Sequence, residues 1–254
     1  KAGAVLSPAE IGVAATVGLP TLSVAKMPSA VIVSPGDELV EVHEQPAPHQ
    51  IRSSNSYTIQ MALARWGVKA DRLHIDDELE ATKRELGRCI EQYDIILLSG
   101  GVSKGKFDYV PEALEALGVQ KHFHKVKQRP GKPFWFGDVE GKCTVFALPG
   151  NPVSSFMCTQ RYVHPWLRQC LGLSPMPYAR AVLTEDFHFR ADLTYFLQVK
   201  TRYDEQTGQL LARPVEGKGS GDLANLVDAD AFLELPRGKE AFAKGEVFPL
   251  LFYR

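Results

Sequence analysis

The run Asp94-Ile95-Ile96-Leu97-Leu98, followed at once by Ser99-Gly100-Gly101, constrains this chain more than any other segment. Consecutive apolar residues without polar alternation read as a strand buried on both faces, in the middle of a sheet with helices on either side. The serine and glycines then place a tight turn at its C-terminal end. The same theme recurs. Val31-Ile32-Val33 runs into Ser34-Pro35-Gly36-Asp37-Glu38, a strand near residues 73–75 runs into Asp76-Asp77, and the strand 144–148 runs into Pro149-Gly150-Asn151-Pro152.

Amphipathic stretches fill the gaps. Ile59, Ala62, Leu63 and Trp66 repeat at helical spacing after Asn55, as do Leu79, Leu86, Cys89 and Ile90, and then Val110, Ala113, Leu114 and Leu117. Asn151-Pro152 opens a long helix to about Leu171, which Pro165 should kink or locally break. Strands alternating with helices at this rhythm predict an α/β fold: three layers, a mostly parallel sheet with helices on both faces. Beyond Leu173-Ser174-Pro175-Met176-Pro177 the pattern changes to strands at about 180–184, 195–202, 209–213, 232–235 and 247–252, predicting a small antiparallel β domain.

Ser7-Pro8-Ala9-Glu10 forms a capping box with Pro at the first helical position, so a short helix starts there and stops at Gly18. It has no neighbouring elements of its own. The predicted organisation is therefore residues 1–27 as a helix and connector from an upstream domain, 28–173 as the α/β domain, and 174–254 as the β domain.

Composition narrows the class. The 254 residues carry 29 Lys+Arg against 30 Asp+Glu, with 44% hydrophobic and 23% charged residues. That balance excludes a disordered tail and argues against nucleic-acid binding. No apolar run is long enough to span a membrane. Cys89, Cys143, Cys158 and Cys170 are widely spaced, without a Cys-x-x-Cys pair, and read as reduced thiols of a soluble cytoplasmic protein.

In an open parallel sheet the loops after the strands gather at one edge, where ligands bind. Gly-rich turns at helix starts offer free N–H groups and a positive dipole end to phosphate. Asp37, Glu38, Asp76, Asp77 and Asp108 crowd the same edge and imply a divalent cation such as Mg²⁺, or raised carboxyl pKa values. Lys125, Arg129 and Lys132 supply cations for an anionic ligand. Each piece has a plainer reading: a tight turn, a helix cap, a solvated loop. Their coincidence at one edge is what points to a site. No Gly-x-x-x-x-Gly-Lys-Ser/Thr loop and no Gly-x-Ser-x-Gly elbow is present. His122 and His124 alternate on a predicted strand, and without a third ligand they read as structural.

Taken in order, Ser34-Pro35-Gly36-Asp37-Glu38-Leu39, Ile51 with Ser54-Asn55, Asp76, Ser99-Gly100-Gly101-Val102-Ser103 with Gly105 and Asp108, Pro130-Gly131-Lys132-Pro133, and Leu148-Pro149-Gly150-Asn151-Pro152-Val153-Ser154 resemble the molybdopterin molybdenumtransferase family, the bacterial MoeA proteins and the gephyrin E domain. The resemblance covers residues 28 to about 173 and continues more faintly through the β domain. It implies Mg²⁺-dependent insertion of molybdate into adenylylated molybdopterin, with release of AMP and molybdenum cofactor. It assigns Glu38, Asp76 and Asp108 as catalytic and metal-binding acids. It assigns Ser34, Gly36, Asp37, Asn55, Ser99, Gly100, Gly101, Ser103, Gly105, Lys125, Arg129, Lys132, Pro149, Gly150, Asn151 and Ser154 to substrate and cofactor binding.

The resemblance further implies a homodimer in the full-length protein, formed mainly by domains outside these 254 residues, and low activity for this stretch alone. Departures from the family pattern are Pro35 for a usual Thr, Lys104 and Lys106 in the Gly-rich loop, Arg129 for a frequent Lys, and Asp230 after Ala229 where Asn is common. Two other readings compete: a gephyrin-like scaffold that binds peptides, and a molybdopterin adenylyltransferase. The acid set favours catalysis over the scaffold, and the β domain with its Leu-Pro-Gly-Asn-Pro turn argues against the adenylyltransferase.

Overall fold

The computed structural model describes residues 3–102, 109–215, 217, 219 and 221–254. Helix α1 (Pro8–Thr16) starts at the expected capping box, with Ala9 N–H donating to Ser7 Oγ at 3.1 Å and Ser7 N–H to Glu10 Oε2 at 2.8 Å. Only Ala14 of this helix is buried; Ile11, Val13 and Val17 face outward.

The α/β part follows as β1 (Ala30–Pro35), β2 (Leu39–Val40), β3 (Ile51–Arg52), α2 (Asn55–Arg65), β4 (Ala70–Ile75), α3 (Leu79–Gln92), β5 (Ile95–Ser99) and α4 (Val110–Ala116). Then come β6 (Gln120–His124), β7 (Gln128–Arg129), β8 (Trp135–Val139), β9 (Cys143–Leu148) and α5 (Pro152–Cys158). The main sheet has the order β4-β1-β5-β9-β8-β6. Its first four strands are parallel, and β8 and β6 complete it in antiparallel fashion. Alternation along the strands divides the core. Ile32, Ile95 and Leu97 pack with Ile59 and Leu63 of α2 and Val153 and Met157 of α5, while Val33, Ile96 and Leu98 pack with Leu86 and Ile90 of α3 and Leu114 of α4. The three-layer expectation holds.

The long helix expected after Asn151 is broken near Pro165, by a specific device. α5 passes into a π-turn (Thr159–Val163) and then α6 (His164–Cys170), with Pro165 in the first turn of α6. Pro165 has no N–H for an i→i−4 bond and its ring crowds the preceding turn, so the helix widens by one residue just ahead of it.

The C-terminal strands are β10 (Ala179–Leu183), β11 (Phe187–His188), β12 (Thr194–Tyr203), β13 (Leu210–Pro214), β14 (Ala231–Leu235), β15 (Ala241–Phe242) and β16 (Val247–Phe252), with the short α7 (Asn225–Asp228) between β13 and β14. They form a second sheet of order β13-β10-β16-β14-β12, and β13 also pairs with β12, so these strands close on themselves around Leu183, Val199, Leu233 and Leu250. Most pairs are antiparallel as expected, but the β10–β13 pair is parallel. The chain also crosses between the two parts: β7 lies beside β12, with Gln128 opposite Thr194 and Arg129 opposite Tyr195. Phe196, Phe232, Leu251 and Tyr253 share one apolar cluster with Val153, Met157 and Leu167, so the two sheets pack as one body.

All four cysteines are free thiols; Cys89, Cys143 and Cys158 are buried and Cys170 is exposed. Burial pushes the Cys89 thiol up to about 11 and the Cys143 thiol up to about 12. No described helix is long and apolar enough to cross a membrane.

Candidate active site

The turns after β1, β4, β5 and β9 do meet at one edge of the sheet. Gly36 donates its N–H to the Ile75 carbonyl at 3.2 Å, which joins the first two turns. Its φ of 130° suits glycine, and a Cβ there would lie 2.5 Å from Glu38 Oε2, so the Glu38 carboxyl folds back over the turn. Asp37 Oδ1 accepts the Asp77 N–H at 2.9 Å. Gly100 N–H donates to the Leu148 carbonyl at 3.0 Å, joining the turns after β5 and β9. Gly101 holds a φ of 70° in a space closed by Val110 Cγ2, 2.6 Å from where a Cβ would stand.

Between these turns lies a cleft of about 280 Å³, lined by Ser34, Pro35, Glu38, Asn55, Ser99, Gly100, Gly101, Gly150, Asn151 and Pro152, with Leu39 and residues 51–54 forming its outer wall. Asn55 and Pro152 are the first residues of α2 and α5. Two helix N-termini therefore meet at this cleft and favour an anionic ligand. The β2/β3 flap supplies the outer wall. Ile51 N–H donates to the Glu38 carbonyl at 2.8 Å and Ser53 N–H to the Val40 carbonyl at 2.9 Å. A latch holds this flap to the core: Tyr57 Oη donates to Glu41 Oε2 at 2.7 Å, and Arg72 lies 3.7 Å over the Tyr57 ring and 3.7 Å from the same carboxylate. The Tyr57 hydrogen bond, helped by the Arg72 charge, holds the Glu41 carboxyl below its usual range.

Of the expected site residues, Ser34, Glu38, Asn55, Ser99, Gly100, Gly101, Gly150 and Asn151 line the cleft itself. Gly36, Asp37 and Pro149 shape the turns behind it, and Ser154 is buried in α5. Asp76 is exposed beside the first turn, with Oδ1 3.6 Å from His74 Nε2. Ser103, Gly105 and Asp108 lie outside the described residues. Among the described residues no three His, Cys, Asp or Glu side chains converge as a metal cluster.

The three expected cations stand apart from the cleft. Lys125 and Lys132 are exposed on the turns between β6 and β8, where Lys125 N–H donates to the Phe134 carbonyl at 2.8 Å. Arg129 lines a separate groove with Pro130, Tyr195 and Gln198, where the two sheets meet. His122 pairs with Asp138 at 2.9 Å, consistent with its structural reading. Glu41, Tyr57 and Arg72 were not legible as site-forming residues, since nothing local marks a latch made across the sheet edge.

A doubly faced α/β sheet with its cleft at the C-terminal ends of parallel strands defines an α/β domain whose cleft lies where sheets of this kind bind ligands. Residues 31–169 match the family described as a probable molybdopterin binding domain, and residues 180–253 match the MoeA C-terminal region, domain IV. The chain belongs to this molybdopterin-binding, MoeA-type family. It is 42% identical over 234 residues to a molybdopterin molybdenumtransferase of Synechocystis, covering 91% of this chain and 57% of that relative. It is 30% identical over 254 residues to the Staphylococcus aureus protein of the same name, covering 99% of this chain and 60% of that relative. The crystal structure of a molybdopterin biosynthesis MoeA protein from Pyrococcus horikosii superposes with a TM-score of 0.83 at 27% identity, over 100% of this chain and 61% of that one. This chain thus spans about three fifths of the length of these relatives.

Proposed function

We propose that the cleft takes adenylylated molybdopterin and molybdate, and that the whole protein inserts molybdenum at the dithiolene with release of AMP. The observation that carries this reading is the cleft bounded by the Ser99-Gly100-Gly101 and Gly150-Asn151 turns and by the starts of α2 and α5. Backbone N–H groups and helix dipoles there suit the phosphoanhydride, whose negative charge grows as AMP leaves. The polar groups of Ser34 and Asn55, which line the wall, would orient the pterin, and the β2/β3 flap would exclude water.

Glu38, Asp76 and Asp108 are proposed as the acids of the site. Molybdate must lose oxide as water on binding the dithiolene, so an acid that holds and delivers protons is needed beside it. Among the described residues the cleft lining contains neither Cys nor His, so the donors it offers a metal are oxygens, a set that fits a hard cation such as Mg²⁺. Glu38 with the neighbouring acids would hold it, and bound Mg²⁺ would neutralise phosphate charge. Lys125, Arg129 and Lys132 would attract the anionic substrate from outside the cleft. A homodimeric whole protein in the cytoplasm belongs to the same reading.

Molybdate-dependent AMP release from adenylylated molybdopterin, measured on the full-length protein, tests it. Asp108→Ala and Glu38→Gln should each abolish turnover while the fold is kept. Release that survives both substitutions would contradict the role given to these acids, and absence of release from the unsubstituted full-length protein would end the enzyme reading and favour a peptide-binding scaffold.

A further inference from the structure

A second cavity, of about 440 Å³, opens away from the cleft, between the π-turn and α6 on one side and residues 173–178 on the other. Its walls are mainly apolar: Pro165, Leu173, Pro175, Met176 and Leu251. Its polar groups come from Gln160, His164, Arg168, Gln169 and Tyr178. Gln160 lines it, is only 7% exposed, and makes no side-chain hydrogen bond among the described residues. Arg168 lines it too; Nη2 donates to the Ser174 carbonyl at 2.9 Å, while its buried Nε has no partner. A polar group buried without a partner is costly, so a ligand that satisfies such groups gains in affinity.

We propose that this cavity binds a small amphipathic carboxylate, its carboxyl group on Arg168 and Gln160 and its apolar body against Met176 and Leu251. The guanidinium is a planar fork matched to a carboxylate, and the carboxamide adds a donor beside it. A phosphate would need more cations and fewer apolar walls than these residues offer. His164, which also lines the cavity, is held below its usual pKa by burial and by Arg168 and Arg65, so it adds no second charge at neutral pH. The volume lies within the range of small-molecule pockets, about 300–1,000 Å³. The proposal is independent of the function proposed for the cleft.

Trp66 stacks on His164 with ring centroids 4.4 Å apart and makes a built-in reporter. Titration of the chain with 4-phenylbutyrate, followed by tryptophan fluorescence and by amide shifts, should give saturable binding with shifts centred on residues 160–178 and Leu251. The neutral 4-phenylbutanol should bind at least about tenfold more weakly. Arg168→Gln should weaken 4-phenylbutyrate by about tenfold or more. Met176→Glu, on an exposed wall residue, should do the same by charge repulsion without disturbing the fold, and guards against a folding defect in the first variant. Absence of saturable binding, equal binding of acid and alcohol, indifference to Met176→Glu, or shifts centred on the cleft would each overturn the proposal.

Discussion

Asn55 Nδ2 donates to the Gly150 carbonyl at 2.7 Å, a contact between residues 95 positions apart. It fastens the start of α2 to the turn that opens α5, so the two walls of the cleft hold one spacing. Asn55→Ala should cost about 1 kcal/mol of stability, the ordinary worth of a hydrogen bond. The larger effect should be on the site: weaker ligand binding by about tenfold, and faster amide exchange at Gly150 and Asn151. Calorimetry and hydrogen exchange on the same variant check both.

Gly101 and Gly118 make a controlled pair, because both have positive φ, 70° and 75°, but only Gly101 is enclosed. Gly118→Ala should cost about 1 kcal/mol, the backbone strain alone, since nothing lies within 4 Å of its Cβ position. Gly101→Ala adds a clash with Val110 and Pro35 and should cost about 2–4 kcal/mol in all. Denaturant unfolding of the two variants side by side separates strain from crowding.

Phe134 is fully buried, stacked 4.6 Å from Tyr162, whose hydroxyl donates to Gln128 of β7. Phe134→Ala should lose about 3–5 kcal/mol, the range for a large aromatic in a core that cannot collapse. Because Gln128 stands on the second sheet, near-ultraviolet signals from both sheets should shift together in one transition. Separate transitions would show that the sheets are not coupled through this contact.

Asp94 accepts from Ser29 N–H at 2.7 Å and from Ser29 Oγ at 2.8 Å, fixing the start of β1 against β5. These bonds, backbone first, hold the Asp94 carboxyl below its ordinary value of 3.8. The unfolded chain therefore binds a proton more readily than the folded one. Stability from this group is fully present above about pH 4 and is lost as pH falls through the depressed folded value. Asp94→Asn should flatten the acid limb of stability against pH, measured by urea unfolding, and leave the neutral region less affected.

The central strands were legible because Val31–Val33, Ile95–Leu98 and Val145–Leu148 are buried on both faces, and burial leaves a continuous apolar run. The turns that follow them were legible as one edge because parallel topology dictates it. What was hidden is non-local. β2, β3 and β7 are two-residue strands with no periodicity of their own to betray them; β2 and β3 pair with each other across a loop, and β7 pairs with β12 far along the chain. The cations on residues 125–132 looked close to the cleft in sequence. In the sheet order, however, β6 and β8 lie at the far edge from β1, and the chain between them swings to the second sheet. The break before Pro165 was visible, while its form as a π-turn was not, because hydrophobic spacing averages over a one-residue insertion.

The cleft between the Ser99-Gly100-Gly101 and Gly150-Asn151 turns is proposed to hold the nucleotide end of adenylylated molybdopterin. Titration with AMP and Mg²⁺, read residue by residue as amide shifts, tests it most directly. Saturable shifts are expected at Gly100, Gly101, Gly150 and Asn55, diminished in Asn55→Ala. Saturable shifts centred instead on the groove of Arg129 and Tyr195, or no shifts at the cleft at all, would contradict it.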